Sequence, residues 1–266
     1  MVYGFIGLGN MASAILRGMA ASGAFADDTL CGYNRSEGKT LTLWHEIGLV
    51  PCDSAVAVAQ MADVVVLAVK PQMLPDVLPL VTPEITKDKL LVTIAAGKPT
   101  TYYEAQLPEG VGVVRVMPNI NARVHAAASA VCGGKYATEE QLAIVREMFS
   151  AVGTVYDIAE PMFAAFSALG GASGAFVHIY IDALASAGVK AGFPRPLAEA
   201  IATQATLGAA QLTQESDEHP IALCDQVTSP GGTTIEGVHM LKKLGFETAV
   251  QQAIEAIIEK DKKLGE

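Results

Sequence analysis

The sequence predicts an α/β fold, a doubly wound and mostly parallel sheet, followed by an all-helical domain. Three observations carry this prediction. Short β-rich runs alternate with helical stretches up to about residue 158. The first run ends in a glycine-rich turn that opens a helix. After Pro161 the strand signals stop, and alanine-rich helical patterns continue towards Glu266. Strands and helices alternating at this spacing form parallel sheets with right-handed crossovers.

Taken in order, runs at 2–6, 29–33, 63–69, 90–95, 111–117, 128–132 and 153–158 carry Val, Ile, Leu and Tyr at strand length, with a weaker run at 48–52. Helices are predicted from Met11 to Ala21 closed by Gly23, from Glu37 to Glu46 closed by Gly48, and from Ala55 to Met61. Another runs from Glu139 to Ala151; Thr138 and Gln141 open it at capping-box spacing and Gly153 ends it. Further helices are expected near 162–169, 174–191, 195–215, 220–226, 233–244 and 246–264. The segments 174–191 and 195–215 are apolar on more than one face. One small domain cannot bury them all, so a second subunit is expected to cover them and this half reads as a dimerisation domain.

Composition excludes several classes of function. The chain has 266 residues, enough for a sizeable core. Hydrophobic residues make up 51% and charged residues 17%, which excludes a disordered chain. Eighteen basic against 28 acidic residues give a net charge of −10, and no Lys/Arg cluster is present. That balance argues against nucleic acid or an anionic membrane surface as a partner. The longest stretch without Asp, Glu, Lys or Arg runs from Met162 to Ile181, about the length of a spanning helix. It holds Gly170, Gly171, Gly174, Ser167, Ser173 and His178, and reads as a helix buried on all sides, with His178 a satisfied buried histidine. No basic leader precedes the first apolar run, so a cytoplasmic location is expected. Cys31, Cys52, Cys132 and Cys224 are scattered, which suggests free thiols; no cluster has metal-ligand spacing.

Two segments carry chemistry. Gly7-Leu8-Gly9-Asn10-Met11-Ala12 follows the first strand and opens the first helix, fitting the G-x-G-x-x-G/A dinucleotide fingerprint. Its small residues let a pyrophosphate approach the amides of a helix N-terminus. At the end of the second strand stands Tyr33-Asn34-Arg35-Ser36, with no carboxylate to bind a ribose 2′-hydroxyl. Arg35 offers a guanidinium fork and Ser36 a hydroxyl, both suited to a 2′-phosphate. NADP is therefore the expected cofactor, NADPH preferred and NADH possible. Ala68-Val69-Lys70-Pro71-Gln72 ends the fourth strand on the same edge; Lys70 either faces the cofactor phosphates or is a solvated loop lysine. Met117-Pro118-Asn119 ends another strand there and is expected to border the nicotinamide. The expected division is a Rossmann-like NADP-binding domain at 1–158 and a helical dimerisation and substrate-binding domain at 159–266.

The second segment is Val227-Thr228-Ser229-Pro230-Gly231-Gly232-Thr233-Thr234-Ile235-Glu236-Gly237. Thr233 and Glu236 have capping-box spacing, so a capped helix follows a Ser-Pro-Gly-Gly turn. The two glycines before a helix expose amides, and the hydroxyls of Ser229, Thr233 and Thr234 surround them. That combination suits a small carboxylate.

On these motifs the chain resembles the pyrroline-5-carboxylate reductases along essentially its whole length. VTSPGGTTIEG at 227–237 is similar to that family's signature. GLGNMA at 7–12, NRS at 34–36, AVKPQ at 68–72, AAG at 95–97 and RVMPN at 115–119 match in order and spacing. The resemblance implies NAD(P)H-dependent reduction of the cyclic imine 1-pyrroline-5-carboxylate to L-proline, by a homodimer often gathered into a larger homo-oligomer such as a decamer. It also implies cofactor contacts from Asn34, Ala95, Ala96 and Gly97. Gly231, Gly232 and Thr233 match the positions that hold the substrate carboxylate, and Thr234 matches the catalytic hydroxyl near the imine nitrogen. Val227 and Ser229 match residues that line the pocket. The family often reads GSGPAY where this chain has Gly171-Ala172-Ser173-Gly174-Ala175-Phe176, and Asp53 stands where an asparagine is common. The alternatives are a related imine or β-hydroxyacid-type reductase, and an NADPH-binding sensor. The β-hydroxyacid enzymes carry a catalytic lysine four residues after the second glycine of G-x-x-G, where this chain has His178.

Overall fold

The computed structural model describes residues 1–265, with side chains through residue 261. Eight strands form one sheet: β1 (Val2–Ile6), β2 (Thr29–Tyr33), β3 (Val50–Pro51), β4 (Val64–Leu67), β5 (Leu90–Thr93), β6 (Gly112–Met117), β7 (Ala127–Gly133) and β8 (Gly153–Asp157). Their order is β3-β2-β1-β4-β5-β6-β7-β8. Every neighbouring pair is parallel except β6 and β7, which run antiparallel.

The central strands are buried on both faces, which is why they read as continuous apolar runs, whereas β3 and β8 at the two edges are largely exposed. Phe5, Val64, Val66, Val114 and Val116 face one side, where they meet Ile15, Leu16 and Met19 of α1 (Asn10–Ser22). Met148 and Phe149 of α6 (Glu139–Ser150) join that layer. Ile6, Val65, Leu67, Leu91 and Val113 face the other side, towards Val58 of α3 (Ala55–Met61) and Leu74 and Leu78 of α4 (Leu74–Val81). The strict alternation of neighbours follows from the two-residue period of a strand. The helix α2 (Glu37–Ile47) follows β2, and the short α5 (Thr100–Glu104) follows β5.

Element positions match the sequence pattern closely, and the capping box at Thr138 and Gln141 forms as expected. The helix α4 was not expected. Pro75 lies in its first turn, where no amide is needed, and Pro79 lies inside it. Prolines punctuate a sequence pattern, yet the first-turn position tolerates them and the buried Leu74, Leu78 and Val81 hold the rest. Five residues of α5 are too few to show a helical period.

The chain divides into two compact units. The first comprises Met1–Gly171 together with the residues from Ile258 onward; the second is Ala172–Ile257. The first therefore extends past the boundary expected at residue 158, because residues after β8 are bonded to the sheet. Glu160 accepts from the Thr100 amide at 2.7 Å and the Thr100 hydroxyl at 3.0 Å. Arg115 of β6 pairs with the same carboxylate at 3.2 Å, and its guanidinium lies 4.3 Å from the centre of the Phe163 ring. Beyond α7 (Phe163–Phe166), the Asn119 side-chain amide donates to the Gly170 carbonyl at 2.7 Å, within a π-helical turn at Ser167–Ala172.

The second unit contains α8 (Ser173–Lys190), α9 (Arg195–Glu215), α10 (Pro220–Gln226), α11 (Thr233–Lys243) and most of α12 (Phe246–Gly265). The helices α8 and α9 pack through Ala185, Ala198 and Ala202, its only fully buried apolar residues among those described. Large side chains such as Ile179, Leu197, Ile201, Leu207 and Leu212 remain exposed. His178, expected to be buried, is exposed as well, because among the described residues α8 is buried only around Ala185. The helical run Glu160–Lys190 is long and apolar enough to cross a membrane by length and composition alone.

The Arg115–Glu160 pair gives a direct test of how the end of the first unit is held. Arg115→Met leaves a carboxylate that is only about a quarter exposed without its cation. We expect a loss of about 2–4 kcal/mol in urea-unfolding stability, below the upper range for a fully buried broken pair because Glu160 retains some water.

Candidate active site

The strand order reverses between β1 and β4, and ligands of open α/β sheets bind beyond the strand ends at such a point. Here a cleft of about 620 Å³ opens. Gly7 turns the chain there with φ +94°, and a Cβ at this position would lie 2.9 Å from the Ala68 carbonyl oxygen. No residue but glycine fits both constraints. The Gly7 amide donates to the Tyr33 carbonyl at 2.8 Å, and the Leu8 amide donates to the Asn34 side-chain oxygen at 3.0 Å. The Asn34 nitrogen in turn donates to the Ser36 carbonyl at 3.1 Å and hydroxyl at 2.8 Å. The glycine turn is thereby tied to the end of β2.

Gly9 begins α1, and the space its Cβ would occupy is open. The first turn of α1 holds no carboxylate, and no side chain caps it. Amides at a helix start have no partner within the helix, so this turn is free to receive an anion.

Of the residues expected to bind a cofactor, the cleft brings together Gly7, Gly9, Asn10, Met11, Asn34, Arg35, Ala68, Val69, Lys70, Pro71, Ala95, Ala96 and Pro118. Lys70, left open between cofactor and solvent, lines it. Leu8, Ser36, Gly97, Met117 and Asn119 are not among the lining residues. The Leu8 side chain is buried in the core. The Ser36 hydroxyl accepts from Asn34. Gly97 supplies a positive-φ turn after β5, and Met117 packs against the cluster of Ala130, Cys132 and Phe163. Asn119 uses its nitrogen on Gly170 and its oxygen on the Asn121 amide, so it shapes the strand end rather than facing the cleft.

Lys39, Met73 and Val77 line the cleft but were not singled out in the sequence. Val77 belongs to the unexpected α4 and Met73 immediately precedes it. Lys39 carried a usable signal. It lies in the first turn of α2, where the helix dipole disfavours a cation, and such a residue calls for a negative neighbour.

In the second unit, His219 caps α10 through Nδ1, which accepts from the Ile221 amide at 3.2 Å. The loop then reaches Gly231, with φ +69°. At Gly232 a Cβ would fall 2.3 Å from the Ser229 hydroxyl and 3.1 Å from its carbonyl oxygen. The expected capping box between Thr233 and Glu236 does not form. Gly232, with φ −78° and ψ 172°, takes the capping position itself, and Thr233 becomes the first helical residue. One residue's shift releases the Thr233 hydroxyl. Among the described residues the side chains of Ser229, Thr233 and Thr234 make no hydrogen bond, whereas Thr228 is held by the carbonyls of Cys224 and Asp225 at 3.3 and 3.2 Å. Val227, Ser229, Gly231, Thr233 and Thr234 are exposed in the single chain and Gly232 is half-buried.

Comparison with known proteins decides the family. A model described as pyrroline-5-carboxylate reductase dimerisation matches residues 160–264, and one described as NADP oxidoreductase coenzyme F420-dependent matches residues 2–97. A pyrroline-5-carboxylate reductase of Methanosarcina acetivorans is 42% identical over 263 residues, covering 98% of this chain and 97% of its own. One from Escherichia coli is 41% identical over 261 residues, with the same coverage. The chain belongs to the pyrroline-5-carboxylate reductase family.

Solved members of the family share the fold. A pyrroline-5-carboxylate reductase of Coxiella burnetii superposes with a TM-score of 0.93 at 30% identity, over 99% of this chain and 98% of its own. A Plasmodium falciparum pyrroline carboxylate reductase with NADP bound superposes with a TM-score of 0.88 at 30% identity, over 100% and 98%. The matched regions divide the two motifs between them. The glycine turn, Arg35 and Ala68–Pro71 lie in the 2–97 region, and the 227–237 loop lies in the 160–264 region.

The bond from Leu8 to Asn34 can be tested by itself. Asn34→Ala leaves a half-buried amide without its acceptor, and we expect a loss of about 1–2 kcal/mol in thermal or chemical unfolding stability.

Proposed function

We propose that this protein reduces 1-pyrroline-5-carboxylate to L-proline with NADPH, the last step of proline biosynthesis. The reading rests above all on one observation: the hydroxyls of Ser229, Thr233 and Thr234 stand at the start of α11, which no side chain caps, and none of the three is hydrogen-bonded among the described residues. Polar groups so arranged in an otherwise apolar helical unit suit a small carboxylate.

The cleft residues fit the cofactor. The Gly7 turn and the open space at Gly9 admit a pyrophosphate to the first-turn amides of α1. Arg35 and Lys39 stand on the cleft wall with no ion pair among the described residues, ready for a 2′-phosphate. Leu8, Ser36, Gly97, Met117 and Asn119 support this lining from behind. NADPH, when bound, supplies the hydride for the imine carbon. The chain's own part is binding and orientation: Gly231, Gly232 and Thr233 hold the carboxylate, Val227 and Ser229 line the substrate pocket, and Thr234 orients the imine nitrogen. A protonated imine is already electrophilic, so positioning and local electrostatics carry the catalysis.

Residues 1–158 are proposed to serve the cofactor, and 159–266 the substrate and the dimer contact. A second copy covers the exposed apolar faces of α8 and α9, which excludes a membrane role for Glu160–Lys190. Dimers gather into a larger homo-oligomer such as a decamer, in the cytoplasm. On dilution, light scattering should show loss of the dimer and a parallel assay should show loss of activity over the same concentration range.

Arg35→Ala should weaken NADPH binding by about 1.5–3 kcal/mol, the scale of charged hydrogen bonds, while barely changing NADH binding. Cofactor fluorescence titrations read both values, and equal losses contradict the assignment. Thr234→Ala should lower kcat about 10–1,000-fold, as for a positioned donor. The deciding assay mixes protein, NADPH and 1-pyrroline-5-carboxylate, and follows nicotinamide absorbance together with proline formation. Cofactor binding without turnover would refute the enzyme and favour a sensor.

A further inference from the structure

A second cavity, of about 400 Å³, opens between α1, α2 and the turn at 120–125. Arg17, Lys39, Arg123 and His125 line it, and no carboxylate does. In a chain of net charge −10 with only 18 basic residues, this grouping runs against the overall charge. Like charges facing one concavity repel each other, and an anion between them relieves that repulsion. Arg17 is partly neutralised by Glu46, which lies outside the lining, at 2.7 Å. Lys39 and Arg123 make no ion pair among the described residues.

The wall that carries Arg123 is held rigidly. The Ala122 amide donates to the Asn119 carbonyl at 3.2 Å, and the Ala126 amide to the Asn121 carbonyl at 3.1 Å. Between them His125 adopts φ +55°, the only positive φ outside glycine among the described residues. Its Nδ1 lies 3.2 Å from the Ala151 carbonyl. The backbone of this corner is thereby held, which fixes where the Arg123 side chain starts.

We propose that this cavity is a second anion site, distinct from the cofactor cleft, which binds a phosphate group. The guanidinium fork of Arg123 and the ammonium of Lys39 match phosphate oxygens. The volume exceeds that of inorganic phosphate and falls within the range of small-metabolite pockets, so a phosphorylated metabolite fits as well as the free ion. Asn10 and Lys39 line both this cavity and the cofactor cleft. Phosphate bound here competes for Lys39, and by linkage it weakens NADPH binding while NADPH weakens phosphate binding equally.

The test is calorimetry on the full-length protein at constant ionic strength set with sodium chloride. Inorganic phosphate and ribose 5-phosphate are titrated first into the protein without NADP⁺, with Arg35→Gln as the control for the cofactor cleft, and then into protein saturated with NADP⁺, where the same binding is expected to be weaker; NADP⁺ binding is measured in the same cell. The expected result is saturable phosphate binding to the wild type, weakened at least 10-fold in Arg123→Gln, whose NADP⁺ affinity changes less than twofold. Tighter binding of ribose 5-phosphate identifies a metabolite as the occupant, and equal binding identifies the free ion; either supports the site. Absence of phosphate binding, or unchanged binding in Arg123→Gln, overturns it. If NADP⁺ itself does not bind, the cofactor reading fails separately. Loss in Arg35→Gln alone places the phosphate in the cofactor cleft and overturns the proposal. Arg123 is exposed, so its replacement leaves the core untouched.

Discussion

The first unit depends on how the end of β1 is joined to the end of β2. Gly7 and Leu8 give their amides to Tyr33 and Asn34, and Asn34 gives its own amide to Ser36. One side chain thus fixes the glycine turn against the residues that follow β2. The helix α1 leaves this turn with its first amides unbonded, and Arg35 is carried to the same cleft. Had the turn any side chain at Gly7, the Ala68 carbonyl would block it and the join could not close. The positions proposed for the pyrophosphate and the 2′-phosphate are therefore not independent. Both follow from a single loop geometry.

The two units solve burial differently. The sheet unit covers both faces of its central strands with its own helices. The helical unit buries only three alanines between α8 and α9 and leaves leucines and isoleucines exposed. Those helices are stable only where further apolar surface meets them. The strong overall negative charge adds a second constraint, since long-range attraction cannot bring anionic ligands to this chain. Positive groups must then act at short range. The groups available for this are the helix starts without side-chain caps at α1 and α11 and the cations without paired carboxylates among the described residues at Arg35, Lys39 and Arg123.

Much of this was legible in the residues. Strand runs in the first half and helices in the second were readable because a doubly covered strand is apolar throughout and a long helix repeats its pattern. The glycine turn was readable because few other residues permit its geometry. The helix α4 was not, since Pro75 and Pro79 resemble breaks until their positions within the helix are known. Lys39 escaped because one residue in a charged segment resembles any solvated lysine. Asn119 was read as a cofactor neighbour from its place after β6, but only the arrival of Gly170 from 51 residues away shows where its amide is spent. Thr233 and Glu236 had the right spacing for a capping box, yet Gly232 took the cap because it follows the extended path that the loop imposes.

The fold class, most of the elements, the two motifs and the family were legible in the residues alone. Each depends on local spacing or on residues whose conformational range is narrow. Tertiary structure alone decided which of the motif residues face the cleft, which side chains are already satisfied, and which cations stand unpaired. The physical reason is the same in each case. A hydrogen bond or an ion pair is settled by whatever meets the side chain in space, and the partner can lie anywhere in the chain. Leu8 and Asn119 each belong to a readable local pattern, and the role of each was set by a distant neighbour.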